Sequence, residues 1–174
     1  MVIYLDAPPR VVAPGAGRHA TIRQEGGSFV PPAVAIPAGD NVDFPNDDFV
    51  SHNVFSLTAG SGFDLGIYPR GQVKSVQFNQ PSEVDVFCNI HQDMRAKILV
   101  VPTELFTRVG PDGRYRLRGV PPGRQVLVAW SNAHKPQRAE VEIKAGKTAR
   151  ADFKLLARGG TSAHLNKEGE PYGR

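Results

Sequence analysis

From residue 33 to residue 101 the chain is a succession of short apolar or alternating runs: Ala33 to Ile36, Asn41-Val42-Asp43-Phe44, His52 to Leu57, Val73 to Phe78, Glu83 to Cys88 and Ala96 to Val101. Turn residues separate nearly all of them, as in Pro37-Ala38-Gly39-Asp40, Asn46-Asp47-Asp48 and Gln80-Pro81-Ser82. Runs this short, closed this often, predict strands and not helices, and the spacing describes an all-β chain built on a β-sandwich. The 18 Gly and 15 Pro scattered through the sequence favour the same reading. At 174 residues and 40% hydrophobic content there is material for one large core or two small ones.

After Pro102 the character changes. Gly110-Pro111-Asp112-Gly113 reads as a turn, Arg114 to Leu117 as a strand, Val120-Pro121-Pro122-Gly123 as another turn, and Val126 to Trp130 as an apolar strand. Ala139 to Ile143 and Ala149 to Leu156 continue the pattern across Ala145-Gly146-Lys147, so a second, smaller β unit is expected here. The chain opens directly on a strand, Val2-Ile3-Tyr4-Leu5, followed by a Pro/Gly/Ala-rich loop from Ala7 to Gly17. So abrupt a start suggests a processed or trimmed chain with an added initiator Met. From Arg158 to Arg174 there are almost no apolar residues, which predicts a disordered tail.

The net charge of +4 is the difference of two unlike halves. Residues 1–102 hold seven Lys/Arg against ten Asp/Glu, net −3, and residues 103–174 hold fourteen against seven, net +7. The bases of the second half are strewn along strands, with no Lys/Arg block and no interleaved aromatics. They read as a solvated surface, and nucleic acid is not an expected partner. No run reaches the roughly 18 apolar residues of a membrane helix, and no basic segment followed by an apolar stretch opens the chain. The single cysteine excludes an internal disulfide and leaves a thiol free for chemistry or for a metal.

That cysteine lies in the most informative segment, Val86-Phe87-Cys88-Asn89-Ile90-His91-Gln92-Asp93-Met94. Cys88 and Met94, the one Met besides the first residue, stand six positions apart with His91 between them. Thiolate, imidazole and thioether are together the soft and borderline donors that copper favours, whereas zinc sites seldom take a thioether. Strand alternation puts Val84, Val86 and Cys88 on one face, so the thiol is expected to point inward at the strand's end. The loop that follows is short enough to bring His91 and Met94 round the same point. One position is left for a residue distant in sequence, and His52 is the natural candidate. Two His and one Cys in a trigonal plane with a long axial Met is the arrangement of electron-transfer copper. It leaves no open position for substrate, which argues for electron transfer over catalysis.

These residues resemble the cupredoxin family of blue-copper proteins. The Cys-x2-His-x2-Met spacing of Cys88, His91 and Met94 is similar to the short ligand loop of the amicyanins, and His52-Asn53 to the family's upstream His-Asn pair. The resemblance implies a Greek-key β-sandwich over residues 6–102 holding one mononuclear copper. His52, Cys88 and His91 would be strong ligands, Met94 the weak axial one, and Asn53 a neighbouring group that hydrogen-bonds near the thiolate and steadies the loop. It implies a transient redox protein partner and a periplasmic or secreted location. Asp112 to Leu117 with Gly119 to Arg124 and Val126 to Trp130 resembles the carboxypeptidase regulatory-like, or transthyretin-like, β-sandwich, expected over 103–157. That family has more strands than 103–111 supplies, so Met1 to Leu5 is expected to be one of them, with the copper domain inserted between. Neither pattern indicates an oligomeric state.

Other readings are weaker. Cys88 with His91 as nucleophile and base lacks an oxyanion-hole turn and leaves Met94 without a role. His19, His134 and His164 lie in polar or loop contexts, and Trp130 is expected to pack in the second core. Asp47, Asp48, Asp64 and Asp93 follow no calcium-loop spacing and read as solvated turns. Arg95 and Lys97 are candidates to steer an anionic partner, with Ile90 and Pro45 as apolar contacts around His91. The functional alternatives are copper storage or delivery, and a surface interaction module whose copper is structural.

Overall fold

The computed structural model describes residues 1–7, 17–159 and 165–172. The expected loop from Ala7 to Gly17 lies almost wholly outside them. The strands are β1 (Val2–Leu5), β2 (His19–Thr21), β3 (Arg23–Glu25), β4 (Ser28–Val30), β5 (Ala33–Pro37), β6 (Asn41–Pro45) and β7 (His52–Ser56). They continue with β8 (Phe63–Tyr68), β9 (Val73–Gln77), β10 (Ser82–Phe87), β11 (Arg95–Val101), β12 (Phe106–Arg108), β13 (Gly123–Ser131) and β14 (His134–Ile143). No helix occurs among the described residues, as the punctuation of the sequence requires. The sequence places domain boundaries at 6–102 and 103–157. The fold divides into one unit of Val11–Val100 with Thr161–Arg174, and another of Met1–Arg10 with Val101–Gly160.

In the first unit a five-stranded sheet runs β5-β11-β10-β7-β8, and a three-stranded sheet β2-β6-β9. β10 pairs antiparallel with β11 along its whole length, from Ser82 opposite Val100 to Phe87 opposite Arg95. Its alternation does what period-2 spacing demands: Val84 and Val86 are buried while Glu83 and Asp85 are not, and Cys88, next on the inward face, is fully buried. β6 alternates likewise, burying Val42 and Phe44. The two inner faces supply one core in which Phe44, Val54, Val84 and Ile98 lose all exposure, each burial contributing about 1.5–3 kcal/mol. β7 is buried along its whole length. Its pairing with β8 shifts register between Asn53 and Phe55, a bulge that takes up an extra residue on β8. Gly66, at φ +66°, supplies the left-handed conformation the bulge needs.

In the second unit the sheet order is β12-β1-β13-β14, so β1 is an interior strand paired antiparallel on both sides. Ile3 and Leu5 pack with Leu127, Ala129 and Val141 in a separate core. The sequence predicts strands at Arg114 to Leu117 and Ala149 to Leu156; neither is one here. Tyr115, Leu117, Phe153 and Leu155 still pack on that core. Main-chain groups of the later segment go elsewhere than a ladder: Lys154 N–H donates to Gln137 Oε1, and Leu156 C=O accepts from Lys135. Side-chain alternation was right for these segments, but their backbones pair with side chains and isolated positions. Trp130 is buried, but it is not among the residues of that core, where the sequence expects it.

Candidate metal centre

Cys88 follows the last residue of β10 and His91 lies three residues further on, in the connection to β11. This loop is closed by its own backbone: Cys88 N–H donates to Met94 C=O at 3.2 Å, and Met94 N–H to His91 C=O at 3.1 Å. The closure turns the chain back over the thiol. Ile90 N–H donates to Cys88 Sγ at 3.4 Å, and His91 Nδ1 stands 3.7 Å from the same sulfur. Met94 is fully buried in the core that holds Cys88.

His52 arrives from the other side of the site at the head of β7, opposite Tyr68 of β8. Its side chain is fully buried. Its Nδ1 lies 3.1 Å from Nδ1 of His91, with the rings edge to face at 64°. One ligand atom from each of His52, Cys88 and His91 falls within 4.8 Å of the others. Donors bound at about 2.0–2.3 Å to a single ion stand about 3–4 Å apart, so the spacing suits one small metal ion.

The far nitrogen of His52 supports the same conclusion. Nε2 lies 2.8 Å from Asp48 Oδ2, which puts the ring proton on Nε2 and leaves the Nδ1 lone pair aimed at His91 and Cys88. A carboxylate behind an imidazole is the usual brace of a metal-ligating histidine. Asp48 is itself held by the turn between β3 and β4, where Gly26 N–H and Gly27 N–H donate to its two oxygens at 2.6 and 2.9 Å. Both glycines have positive φ, as a two-residue hairpin turn of this type requires. Burial works to raise the Asp48 pKa, and hydrogen bonds from Gly27, His52 and Gly26 outweigh it, holding the carboxyl below its ordinary value. Asn46 shapes the turn that delivers Asp48: its fully buried amide donates to Val50 and Tyr68 carbonyls and accepts from Asp48 N–H. Tyr68 in turn donates to Phe44 C=O and accepts from Gln24, while burial pushes its phenol up.

Asn53 differs from the expected arrangement. Its Nδ2 donates to Asp64 Oδ1 across the β7–β8 bulge at 2.7 Å, and its buried Oδ1 has no partner among the described residues. The hydrogen bond to the sulfur comes from the Ile90 backbone instead. Register explains the difference, since the bulge brings Asp64 beside Asn53. Asp48 and Asp64 are thus braces at the site where the sequence reads solvated turns. The signal for Asp48 was its place four residues before an expected ligand. His19 pairs with Asp43, His134 contacts Ser131, and His164 lies outside the described residues. Lys97 pairs with Asp85 at 2.6 Å.

A β-sandwich that closes a thiol and two imidazoles on one point, with a methionine on the same loop, has the build of a cupredoxin. Residues 17–101 match the model of copper binding proteins of the plastocyanin/azurin family, and residues 94–156 that of the carboxypeptidase regulatory-like domain. Amicyanin of Paracoccus versutus is 29% identical over 75 residues, covering 41% of this chain and 57% of that protein. Amicyanin-alpha of Methylorubrum extorquens is 33% identical over 76 residues, covering 41% and 63%. The chain therefore spans about three fifths of the length of these curated relatives. Among solved structures, the Cu-containing nitrite reductase of Thermus scotoductus SA-01 aligns at 25% identity and a TM-score of 0.47, over 55% of this chain and 25% of that one. The chain is thus similar to the copper binding proteins of the plastocyanin/azurin family over residues 17–101 and to the carboxypeptidase regulatory-like domain over residues 94–156. Among the described residues no helix is long and apolar enough to cross a membrane.

Proposed function

We propose that this protein carries single electrons on one type 1 copper, which His52, Cys88 and His91 would hold as strong donors and Met94 as a weak one. The observation that supports it most is the convergence of the buried thiol with two imidazoles, one braced by a carboxylate. Bound copper supplies a one-electron couple. The chain's part is to fix the donors in one geometry that serves both oxidation states and to shield them from water. With Met94 in place no position stays open for substrate, which favours a carrier over an enzyme.

His91 is the route in and out. It is partly exposed while His52, Cys88 and Met94 are fully buried, and Ile90 beside it is 44% exposed. A redox protein docking there makes a brief contact, since small interfaces are usual for redox encounters. Arg95, exposed beside the loop, is the cation placed to steer an anionic partner. A periplasmic or secreted location goes with this reading. The same exposed His91 edge favours one second reading, delivery of copper to another protein.

The test is visible absorption after addition of Cu(II), compared between the parent and Cys88→Ser. The parent is expected to show an intense thiolate-to-copper band that the variant lacks; a parent without the band sinks the reading. Reversible one-electron voltammetry with metal retained then separates electron transfer from delivery, for which ready loss of Cu(I) to a chelator is the mark.

A further inference from the structure

Residues 165–172 are mostly polar, with Leu165 half exposed, yet they are folded and placed. Asn166 organises them: its Oδ1 accepts from Glu168 N–H and Glu170 N–H, its own N–H donates to Glu170 C=O, and its C=O accepts from Gly169. Gly169, at φ +81°, supplies the left-handed turn. The result is a compact loop stabilised by its own polar groups.

That loop is fastened directly to the loop that carries Cys88 and His91 and, through Asp64 of β8, indirectly to β7, which carries His52. The Tyr172 hydroxyl donates to the C=O of Cys88. Lys167 N–H donates to Asn89 Oδ1 at 2.8 Å, and Lys167 Nζ pairs with Asp64 Oδ2 at 2.9 Å. The other oxygen of Asp64 accepts from Asn53, the neighbour of His52. The peptide plane between Cys88 and Asn89 is thus held from outside, one peptide before the N–H that donates to the Cys88 sulfur. Hydrogen bonds to a ligand sulfur and the groups that orient ligands tune a metal's potential and its retention.

We propose that residues 166–172 form a strap over the copper loop, with Tyr172 and Lys167 as positioning residues that set how tightly the loop holds its metal and at what potential. This rests on the copper reading for its consequence, though not for the strap's existence. Tyr172 acts through the Cys88 carbonyl, and Lys167 through Asn89 and Asp64.

The test uses the full chain with Tyr172→Phe, Lys167→Ala and Lys167→Arg, and a chain ending at residue 164. In the metal-free protein, amide exchange at Ile90 is expected to speed up roughly 2- to 10-fold in Tyr172→Phe, the loss of one net hydrogen bond, and further in the shortened chain. Lys167→Arg is expected to restore most of what Lys167→Ala loses. In the copper-loaded protein, capture of Cu(I) by excess chelator is expected to accelerate by a similar factor, with a shifted reduction potential. Ile90 exchange and Cu(I) capture unchanged in both Tyr172→Phe and the shortened chain would overturn the strap. If Ile90 exchange responds but the parent never shows the thiolate–copper band, the strap stands and the copper reading falls.

Discussion

At His52 the two ring nitrogens have opposite tasks, and a single carboxylate separates them. Asp48 accepts the hydrogen bond from Nε2–H, so Nδ1 faces Cys88 and His91 as a lone pair. Replacing Asp48 with Asn keeps the shape and removes the charge. Copper affinity is then expected to fall roughly 10- to 100-fold, the usual cost of losing such a partner, and the reduction potential to rise as the imidazole becomes a poorer donor. Competitive Cu(II) titration and voltammetry check this, and unchanged values in both would contradict the brace.

The elements matter here through their turns and registers. The β3–β4 hairpin presents two amides to Asp48 only because both turn residues sit at positive φ. Open space surrounds the Cβ position of Gly27, so in Gly27→Ala the backbone conformation alone is strained. A loss of about 1–2 kcal/mol in urea unfolding is expected, with weaker copper binding because the amides turn away from Asp48. In the β2-β6-β9 sheet, Asp43 accepts from Ser75 and pairs with His19. Burial raises its pKa, and hydrogen bonds from Ser75 and His19 together outweigh it, leaving the carboxyl below its ordinary value. A depressed folded-state value gives stability that is full above the unfolded value and is lost as pH falls through the folded one. Asp43→Asn is therefore expected to cost about 1 kcal/mol at neutral pH and progressively less below about pH 4. Unfolding curves at pH 7 and pH 3 would show it, and an equal deficit at both values would refute the assignment.

For the whole molecule, the consequence lies in where the chain ends meet the sheets. β1, at the start of the sequence, is an interior strand of the sheet completed by β12, β13 and β14. Deleting residues 1–5 removes ladder partners of both β12 and β13 and the core residues Ile3 and Leu5. Amide protection in β13 and β14 is expected to collapse, while the visible copper band, which depends on residues of the other unit, persists. Loss of both together would mean that the units of this chain do not fold separately.

What the sequence determined by itself is what local spacing encodes. Alternation over Glu83 to Cys88 buried the thiol, the short run to Met94 made the loop, and punctuation by Gly, Pro, Asn and Asp excluded helices. The soft donors by their identity alone point to a copper-type chemistry. The tertiary structure alone decided which polar side chains are braces. Asp48 meets Gly26 and Gly27 across more than 20 residues, and Lys167 meets Asp64 across 103. Apolar residues announce their face by period, because every one of them seeks the same interior. A polar side chain has no period; its partner is fixed by register, bulges and turns, which exist only once the chain has folded.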